Sequence, residues 1–274
     1  MADAPWLRKA KTLPAGQSTR MKCCSADRSM IVSNGKRGYT GYCFRCQEPL
    51  FEAHGMFTLE QLAQRKLEME LIHSKEVVLP HDFTNEIPVH EAVWLYRAGI
   101  DLEIAAAYGL GYSPSLRRVV LPVYFRGNLE AFTARSTTSK PKYIEKAVDG
   151  SVVFHSKPEL RLPSAIGECT KPDIVLVEDN LSAIRVGRVA KQAVSLMGTS
   201  CNSTQMARVF ERSGLRVDRV ASVAVWMDPD APGKSASRKI CASLRLVGHD
   251  VREIHSTKDP KLLSYREIKE HLND

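Results

Sequence analysis

The sequence has no uninterrupted apolar run approaching the ~20 residues that a helix needs to cross a bilayer. The stretch from Met1 to Lys11 carries charges and Pro5 but no apolar leader core, so a cytoplasmic protein is expected. Internal repeats and low-complexity tracts are missing, which sets aside solenoid and linker-like architectures. The histidines show neither an HExxH pattern nor another paired ligand spacing, so none is a candidate metal ligand. A phosphate loop is nearly spelled by Ala231-Pro232-Gly233-Lys234-Ser235, but the position of its first glycine falls on Asp228. Lys234 is either close to phosphates at a helix start or an ordinary helix-start lysine.

What is present points toward a polyanion. Across 274 residues, 43% are hydrophobic, enough for one large core or two modest ones. Lysine and arginine number 39 against 31 acids, a net charge of +8 that mildly favours nucleic acid through counterion release. Arg8, Lys9, Lys11, Arg20, Lys22, Lys36, Arg37 and Arg45 crowd the first stretch. Four of the 7 cysteines, Cys23, Cys24, Cys43 and Cys46, fall in that same basic segment. An odd total without an export signal argues against a disulfide framework. Cys169, Cys201 and Cys241 are scattered and read as buried structural thiols.

Cys43-Phe-Arg-Cys46 is a CxxC knuckle, a spacing that lets two thiolates converge on one tetrahedral Zn2+. Closing the site needs a second pair, and Cys23-Cys24 supplies two sulfurs. Neighbouring side chains of an extended segment face opposite ways. Two arrangements therefore stay open: both cysteines bind, or one binds with Asp27 or another residue as fourth ligand. The short β-type runs Ser29–Ser33 and Tyr39–Tyr42 make the surrounding segment a compact basic ribbon. Tyr39, Tyr42, Phe44 and Arg45 are its candidate surface for stacking on unpaired bases.

Beyond the ribbon, residues 56–78 read as a helix with Thr58 as N-cap, and His90–Gly99 as another. Arg118–Tyr124 and Leu129–Arg135 read as strands joined by the hairpin Phe125-Arg126-Gly127-Asn128. From about residue 170 strands and helices alternate. Strands are expected at Asp173–Val177, Ala193–Met197, Val220–Met227 and Asp250–Ile254. Helices are expected at Leu181–Gln192, Thr204–Arg212 and Lys234–Leu246, which makes a parallel α/β sheet.

In such a sheet function collects beyond the carboxyl ends of strands. Glu178 directly follows the first of these strands, and Asp228-Pro229-Asp230 the third. Three carboxylates brought together repel one another, and Mg2+, a hard cation that takes oxygen ligands, resolves the repulsion. Mn2+ would serve in the same role. An isolated DxD is more often a solvated loop cap; the strand-end glutamate in the same domain favours a metal site.

These stretches resemble a known family. Val177-Glu178-Asp179-Asn180-Leu181-Ser182-Ala183 and Trp226–Lys234 look like the two signature segments of the TOPRIM fold. That fold is shared by bacterial and phage primases, type IA and II topoisomerases and some nucleases. Ala193–Thr199 is similar to the strand and turn after the first TOPRIM helix of primases. Asp259-Pro260-Lys261-Leu262-Leu263 resembles their DP-x-[DE]-L closing element, with Lys261 and Leu262 imperfect matches. Leu121–Tyr124, Gly127–Leu129, Ala134-Arg135 and Pro141-Lys142-Tyr143 look like the basic front of a phage primase polymerase domain. Gly38–Cys46 looks like the ribbon of the same proteins.

The resemblance implies an α+β chain overall: a small β zinc ribbon followed by a primase polymerase domain with a TOPRIM sheet. It divides as a template-binding ribbon at 1–52, a linker at 53–78, a basic segment at 79–168 and TOPRIM at 169–274. The implied activity is RNA primer synthesis on single-stranded DNA from ribonucleoside triphosphates, in the cytoplasm of an infected bacterial cell. Glu178, Asp228 and Asp230 would be catalytic and hold Mg2+, while Arg135, Lys142 and Lys234 would bind nucleotide or primer phosphates. The cofactors would be structural Zn2+ and catalytic Mg2+ or Mn2+. A separate replicative helicase and a DNA polymerase are the implied partners, since no GxxxxGK[ST] loop follows.

Three departures stand out: Asp179 where the family usually has glycine, Ser182 where it often has aspartate, and a contiguous first cysteine pair. Two rival readings are a TOPRIM nuclease using the same carboxylates and a non-catalytic DNA-binding accessory protein with a decayed metal site.

Overall fold

A computed structural model describes residues 4–24, 28–35, 37–54, 63, 66, 76–136, 143–165, 172–215 and 220–273. Asp27, Lys142, Cys169 and most of the helix expected at 56–78 lie outside the described residues. The chain divides into two compact units: Met1–Ile87, Leu110–Pro122 and Ala131–Lys146 in one, and Pro88–Gly109, Val123–Glu130 and Ala147–Asp274 in the other.

The first unit begins with helix α1 (Pro5–Lys11), started by Pro5 at a position whose N–H would have no helical partner anyway. Strands β1 (Ser18–Met21), β2 (Met30–Asn34), β3 (Gly38–Cys43) and β4 (Pro49–Ala53) follow as one antiparallel meander in sequence order. Strand β2 alternates strictly, burying Met30, Val32 and Asn34, the period-2 signature of a sheet with one covered face. Ala10 of α1 packs with Met30, Val32 and Cys43, and Trp6, Leu13 and Leu50 rim that small core.

Strands β5 (Gly111–Ser113), β6 (Arg118–Phe125), β7 (Asn128–Arg135) and β8 (Tyr143–Ala147) form a second antiparallel sheet, again in sequence order. The expected hairpin joins β6 to β7 through Arg126 (φ 49°) and Gly127 (φ 81°), two successive left-handed residues as a tight two-residue loop requires. Val120, Phe132, Ala134 and Ile144 pack together under Val77, Leu79 and Phe83.

In the second unit, helix α2 (Val89–Arg97) starts one residue before the expected His90 and ends two before Gly99, and buries Leu95 while Tyr96 remains exposed. Helix α3 (Leu102–Ala107) is capped by Asp101, which accepts from the Ile104 amide. A mixed five-stranded sheet follows, built from β9 (Phe154–His155), β10 (Ile174–Val177), β11 (Ala193–Ser195), β12 (Ser222–Trp226) and β13 (Asp250–Glu253). Its strand order is β13-β12-β10-β11-β9, parallel apart from β9, which pairs antiparallel on β11.

Every residue of β10 is buried, as a strand covered on both faces demands. Helices α4 (Asn180–Gly187), α5 (Ser203–Arg212), α6 (Ala231–Leu246) and α7 (Tyr265–Asn273) complete the unit. The core joins Ile174, Leu176, Val194, Val223 and Val225 of the sheet to Val209, Ile240 and Leu244 of the helices.

Two expected boundaries shift by three residues or more. Helix α4 ends at Gly187 rather than Gln192, with Arg188 as its C-cap before the chain turns back into β11; Gly187 packs so closely on Ser156 that an added Cβ would lie 2.3 Å from its Cβ. Helix α6 starts three residues before Lys234, because Asp230 caps it by accepting from the Gly233 amide at 2.8 Å and Pro232 suits a first turn. Among the described residues, no helix is long and apolar enough to cross a membrane.

Candidate functional site

Two clusters of ligating side chains stand out, one in each unit. In the ribbon, the Sγ atoms of Cys23, Cys24, Cys43 and Cys46 all lie within 4.8 Å of one another. Cys23 and Cys46 are 3.8 Å apart, and Cys24 and Cys43 3.7 Å. Four sulfurs about 2.3 Å from one tetrahedral Zn2+ are about 3.8 Å apart, so both pairs already have the required edge length. Both adjacent cysteines reach the cluster because they follow the end of β1 in a bend, where strand alternation no longer governs side-chain direction. The donor set fits structural zinc. Hydrogen bonds from Ser29 and from the Cys46 and Arg45 amides lower the Cys43 thiol to about 5, whereas hydrogen bonding to Cys43 pushes Cys23 up to about 12.

Around that cluster the aromatic residues sort by strand parity. Tyr42 and Phe44 are exposed and meet edge to face at 5.2 Å. Tyr39 points to the opposite face, half-buried, with its ring 4.4 Å from that of His54. Arg45 is exposed in the turn after β3. Phe51, 60% exposed, pairs with Thr40 across β3 and β4 and so shares the face of Tyr42. Sequence reading passed over Phe51; its period-2 relation to the exposed positions of β3 was the signal available.

In the second unit the carboxylates meet at the reversal of strand order. From β10 the chain goes to β11 on one side and later to β12 on the other, so the crevice between β10 and β12 is the topological switch point. Val177 pairs in register with Trp226, which places Glu178 one residue and Asp228 two residues beyond neighbouring strand ends. Gly233 makes this possible: a Cβ there would lie 2.1 Å from the Asp228 carbonyl oxygen, so only glycine lets α6 start beneath the loop.

Glu178 and Asp228 are half-buried, and Glu178 Oε2 and Asp228 Oδ1 are buried with no hydrogen-bond partner among the described residues. Burial, then the charges of Asp228, Asp230 and Asp179, push the Glu178 carboxyl up to about 7. Burial likewise pushes Asp228 up to about 6, against the pull of Lys261. Two buried oxygens without partners in a field of like charge are what a divalent cation would satisfy, so the donor set fits Mg2+.

A lysine stands inside the cluster. Lys261 Nζ lies 2.7 Å from Asp179 Oδ2, 2.9 Å from Asp259 Oδ2 and 3.6 Å from Asp228 Oδ2. Burial opposes its charge, but Asp179, Asp259 and Asp228 more than offset it and hold Lys261 above the ordinary lysine range. The 3-10 turn Pro260–Leu262 that carries it is clasped by Arg185 of α4, whose Nε and Nη2 both donate to the Leu263 carbonyl at 3.0 Å. The same guanidinium stacks 3.7 Å over the Tyr265 ring. Asp179 also caps α4, accepting from the Leu181 and Ser182 amides. Sequence reading had noted Asp179 and Lys261 only as mismatches.

The remaining candidates are dispersed. Lys234 is exposed in the first turn of α6, and Arg135 ends β7 in the first unit, half-buried. Lys142 lies outside the described residues.

The zinc-binding and RNA polymerase domains of the Aquifex aeolicus primase superpose on this chain with a TM-score of 0.51, covering 98% of it and 84% of that protein at 16% identity. The chain shares the primase fold. The primase fragment of the bacteriophage T7 primase-helicase gives a TM-score of 0.46 over 93% of this chain and 97% of its own, at 15% identity. The RNA polymerase domain of the Mycobacterium tuberculosis primase gives 0.41 over 66% of this chain and 65% of its own, at 18% identity. No family model matches the sequence, and no curated protein matches it. The ribbon, with its four-cysteine cluster, and the mixed α+β architecture are thus those of a primase zinc-binding and polymerase pair.

Proposed function

We propose that this protein is a DNA primase that makes short RNA primers on single-stranded DNA. The observation that carries the proposal is the convergence of Glu178, Asp228 and Asp230 on the switch point of the sheet, two of them with buried unpartnered oxygens. The primase fold and the four-thiol ribbon on the same chain support it over the nuclease reading, which has no use for a template-reading module, and the buried unpartnered carboxylate oxygens speak against an accessory protein with a decayed metal site.

In this reading residues 1–52 form the template-binding domain, residues 53–78 connect it to a basic segment at 79–168, and residues 169–274 carry the chemistry. Tyr42, Phe44 and Phe51 stack on unpaired bases, with Tyr39 and Arg45 alongside. Cys23, Cys24, Cys43 and Cys46 hold Zn2+, which fixes the ribbon's shape. Glu178, Asp228 and Asp230 hold Mg2+ or Mn2+, which when bound neutralises triphosphate charge and favours ionisation of the attacking hydroxyl. Glu178, at the buried end of the crevice, either ligates that ion or accepts the proton of the 3′-hydroxyl as it attacks the α-phosphorus of the incoming ribonucleotide. The new P–O bond forms as the bond to pyrophosphate breaks. Asp230 is oriented by its cap to the Gly233 amide. Lys234, Arg135 and Lys142 grip triphosphate or primer phosphates. A separate replicative helicase and a DNA polymerase are the proposed partners, within the cytoplasm of an infected bacterial cell.

The test is primer synthesis from labelled ribonucleotides on mixed-sequence single-stranded DNA with Mg2+, with plasmid nicking scored in parallel. Template-dependent oligoribonucleotides are expected from the wild type, falling about 10³-fold in Asp228→Ala, the scale of losing one preorganised charge-stabilising group. Metal-dependent nicking without oligomers would hand the site to a nuclease, and neither product would favour the accessory protein.

A further inference from the structure

The carboxylate crevice is divided in two by Lys261. Five carboxylates share the crevice, Glu178, Asp179, Asp228, Asp230 and Asp259. Three of them, Asp179, Asp259 and Asp228, lie within 4 Å of the Lys261 ammonium, whose side chain is only 14% exposed. Asp228 faces both halves: its Oδ2 is the oxygen near Lys261, whereas its Oδ1 is buried without a partner, as is Glu178 Oε2. Among the described residues, the buried carboxylate oxygens without a partner here are thus those of Glu178 and Asp228, whereas Asp179 and Asp259 contact a fixed positive charge.

The lysine cannot easily swing away. Arg185 clasps the Leu263 carbonyl two residues on, and Asp179, the nearest carboxylate, is itself pinned as the cap of α4. A second divalent cation placed among Asp179, Asp228 and Asp259 would compete with this ammonium for the same carboxylate oxygens and be repelled by its charge.

We propose that the Lys261 ammonium is a built-in cation that takes the place of a second divalent ion, so the crevice binds one divalent cation per chain. Three sequence features fall into one account. An acid at 179 where relatives have glycine gives the lysine its closest partner. Lysine at 261 supplies the charge. Serine at 182 removes a carboxylate that this half no longer needs; its hydroxyl instead donates to Asp179 at 3.2 Å. The inference rests on the proposed nucleotidyl-transfer reading only for the presence of a divalent ion at Asp228.

The test counts ions and does not read activity. Zinc-loaded protein is titrated with Mn2+, which prefers oxygen donors over the thiolates, and bound ion is measured from loss of the free-ion EPR signal. The wild type is expected to saturate at one Mn2+ per chain, and Asp228→Ala to bind none. Lys261→Met should saturate at two Mn2+ per chain, while Lys261→Arg, which keeps the charge, stays at one. Lys261→Gln is the second uncharged variant should the methionine chain fail to fold, as judged by its circular dichroism melt. Two Mn2+ in the wild type, or saturation at one in a folded uncharged variant, would overturn the proposal while leaving a primase reading intact. No Mn2+ in the wild type would overturn both.

Discussion

The thiol cluster around Cys43 and the carboxylate cluster around Asp228 differ in what holds their ligands in place. The ribbon buries little: its core is Ala10, Met30, Val32 and Cys43, and the last of these is itself a ligand. With zinc held by the four thiols, as their geometry fits, the ion would be a main source of cohesion for the module. The carboxylates stand instead on a parallel sheet whose core joins Ile174, Leu176, Val223 and Val225 to Val209, Ile240 and Leu244 of α5 and α6, with no ligating residue among them. One cluster is a structural element that the ion completes. The other is a scaffolded crevice that stores like charge against its own interest, with Lys261 partly relieving it. Cohesion and chemistry have thus been assigned to different units and to different classes of donor.

Breaking the ribbon side should give the largest effect. In Cys43→Ser, or after chelation, zinc content is expected to fall from one ion per chain to less than a tenth, with loss of the β1–β4 amide signals in NMR. Structural zinc is worth about 10–16 kcal/mol in zinc-finger peptides, far beyond what the small core supplies. Melting of the parallel-sheet unit should be unchanged, and a single cooperative loss of both units would contradict the division of labour.

The sheet side has its own weak point, and it is set by pH. His155 on β9 accepts at Nδ1 from Gln192 at 2.9 Å, while its Nε2 is buried with no partner among the described residues. Burial, then the charge of Arg212, lower the imidazole to about 3, so it is neutral in the folded chain. Above pH 6.5 folded and unfolded forms carry the same proton count and stability is full. Below it the unfolded state binds the proton first, and stability falls by about 1.4 kcal/mol per pH unit, or about 2 kcal/mol by pH 5. Urea melts of the second unit should show that slope, and His155→Gln should flatten it; an unchanged slope sinks the assignment.

The smallest expected effect sharpens the ribbon's surface role. Phe44→Ala and Phe51→Ala should each weaken binding to single-stranded DNA by about 1–3 kcal/mol, the scale of one lost base stack. Fluorescence anisotropy with a labelled oligonucleotide measures it. Zinc content and Mn2+ binding should not move.

Much of this was readable from the chain. Strand β10 was legible because a strand covered on both faces is an unbroken apolar run, and Glu178 and Asp228 were legible because they follow such runs. The CxxC at Cys43 announced itself by spacing. Strand β9 was not read, since two residues on a sheet edge carry no periodicity. The contribution of Cys23 and Cys24 together was obscured by an alternation rule that holds only inside strands. Lys261 was beyond reach for a deeper reason: its partner Asp179 lies 82 residues away, and no local pattern encodes that meeting.

That separation also shapes how the protein comes into being. A contact closed over so long a loop forms only after the strands between its ends have found their register, because loop closure must precede any reward from the contact. If the pair of Asp179 and Lys261 closes late in folding, Lys261→Met should speed unfolding and leave the folding rate unchanged, which stopped-flow denaturant jumps would measure. The crevice exists only where strand ends and the Pro260–Leu262 turn have met, so it belongs to the native state as a whole and to no shorter piece of the chain.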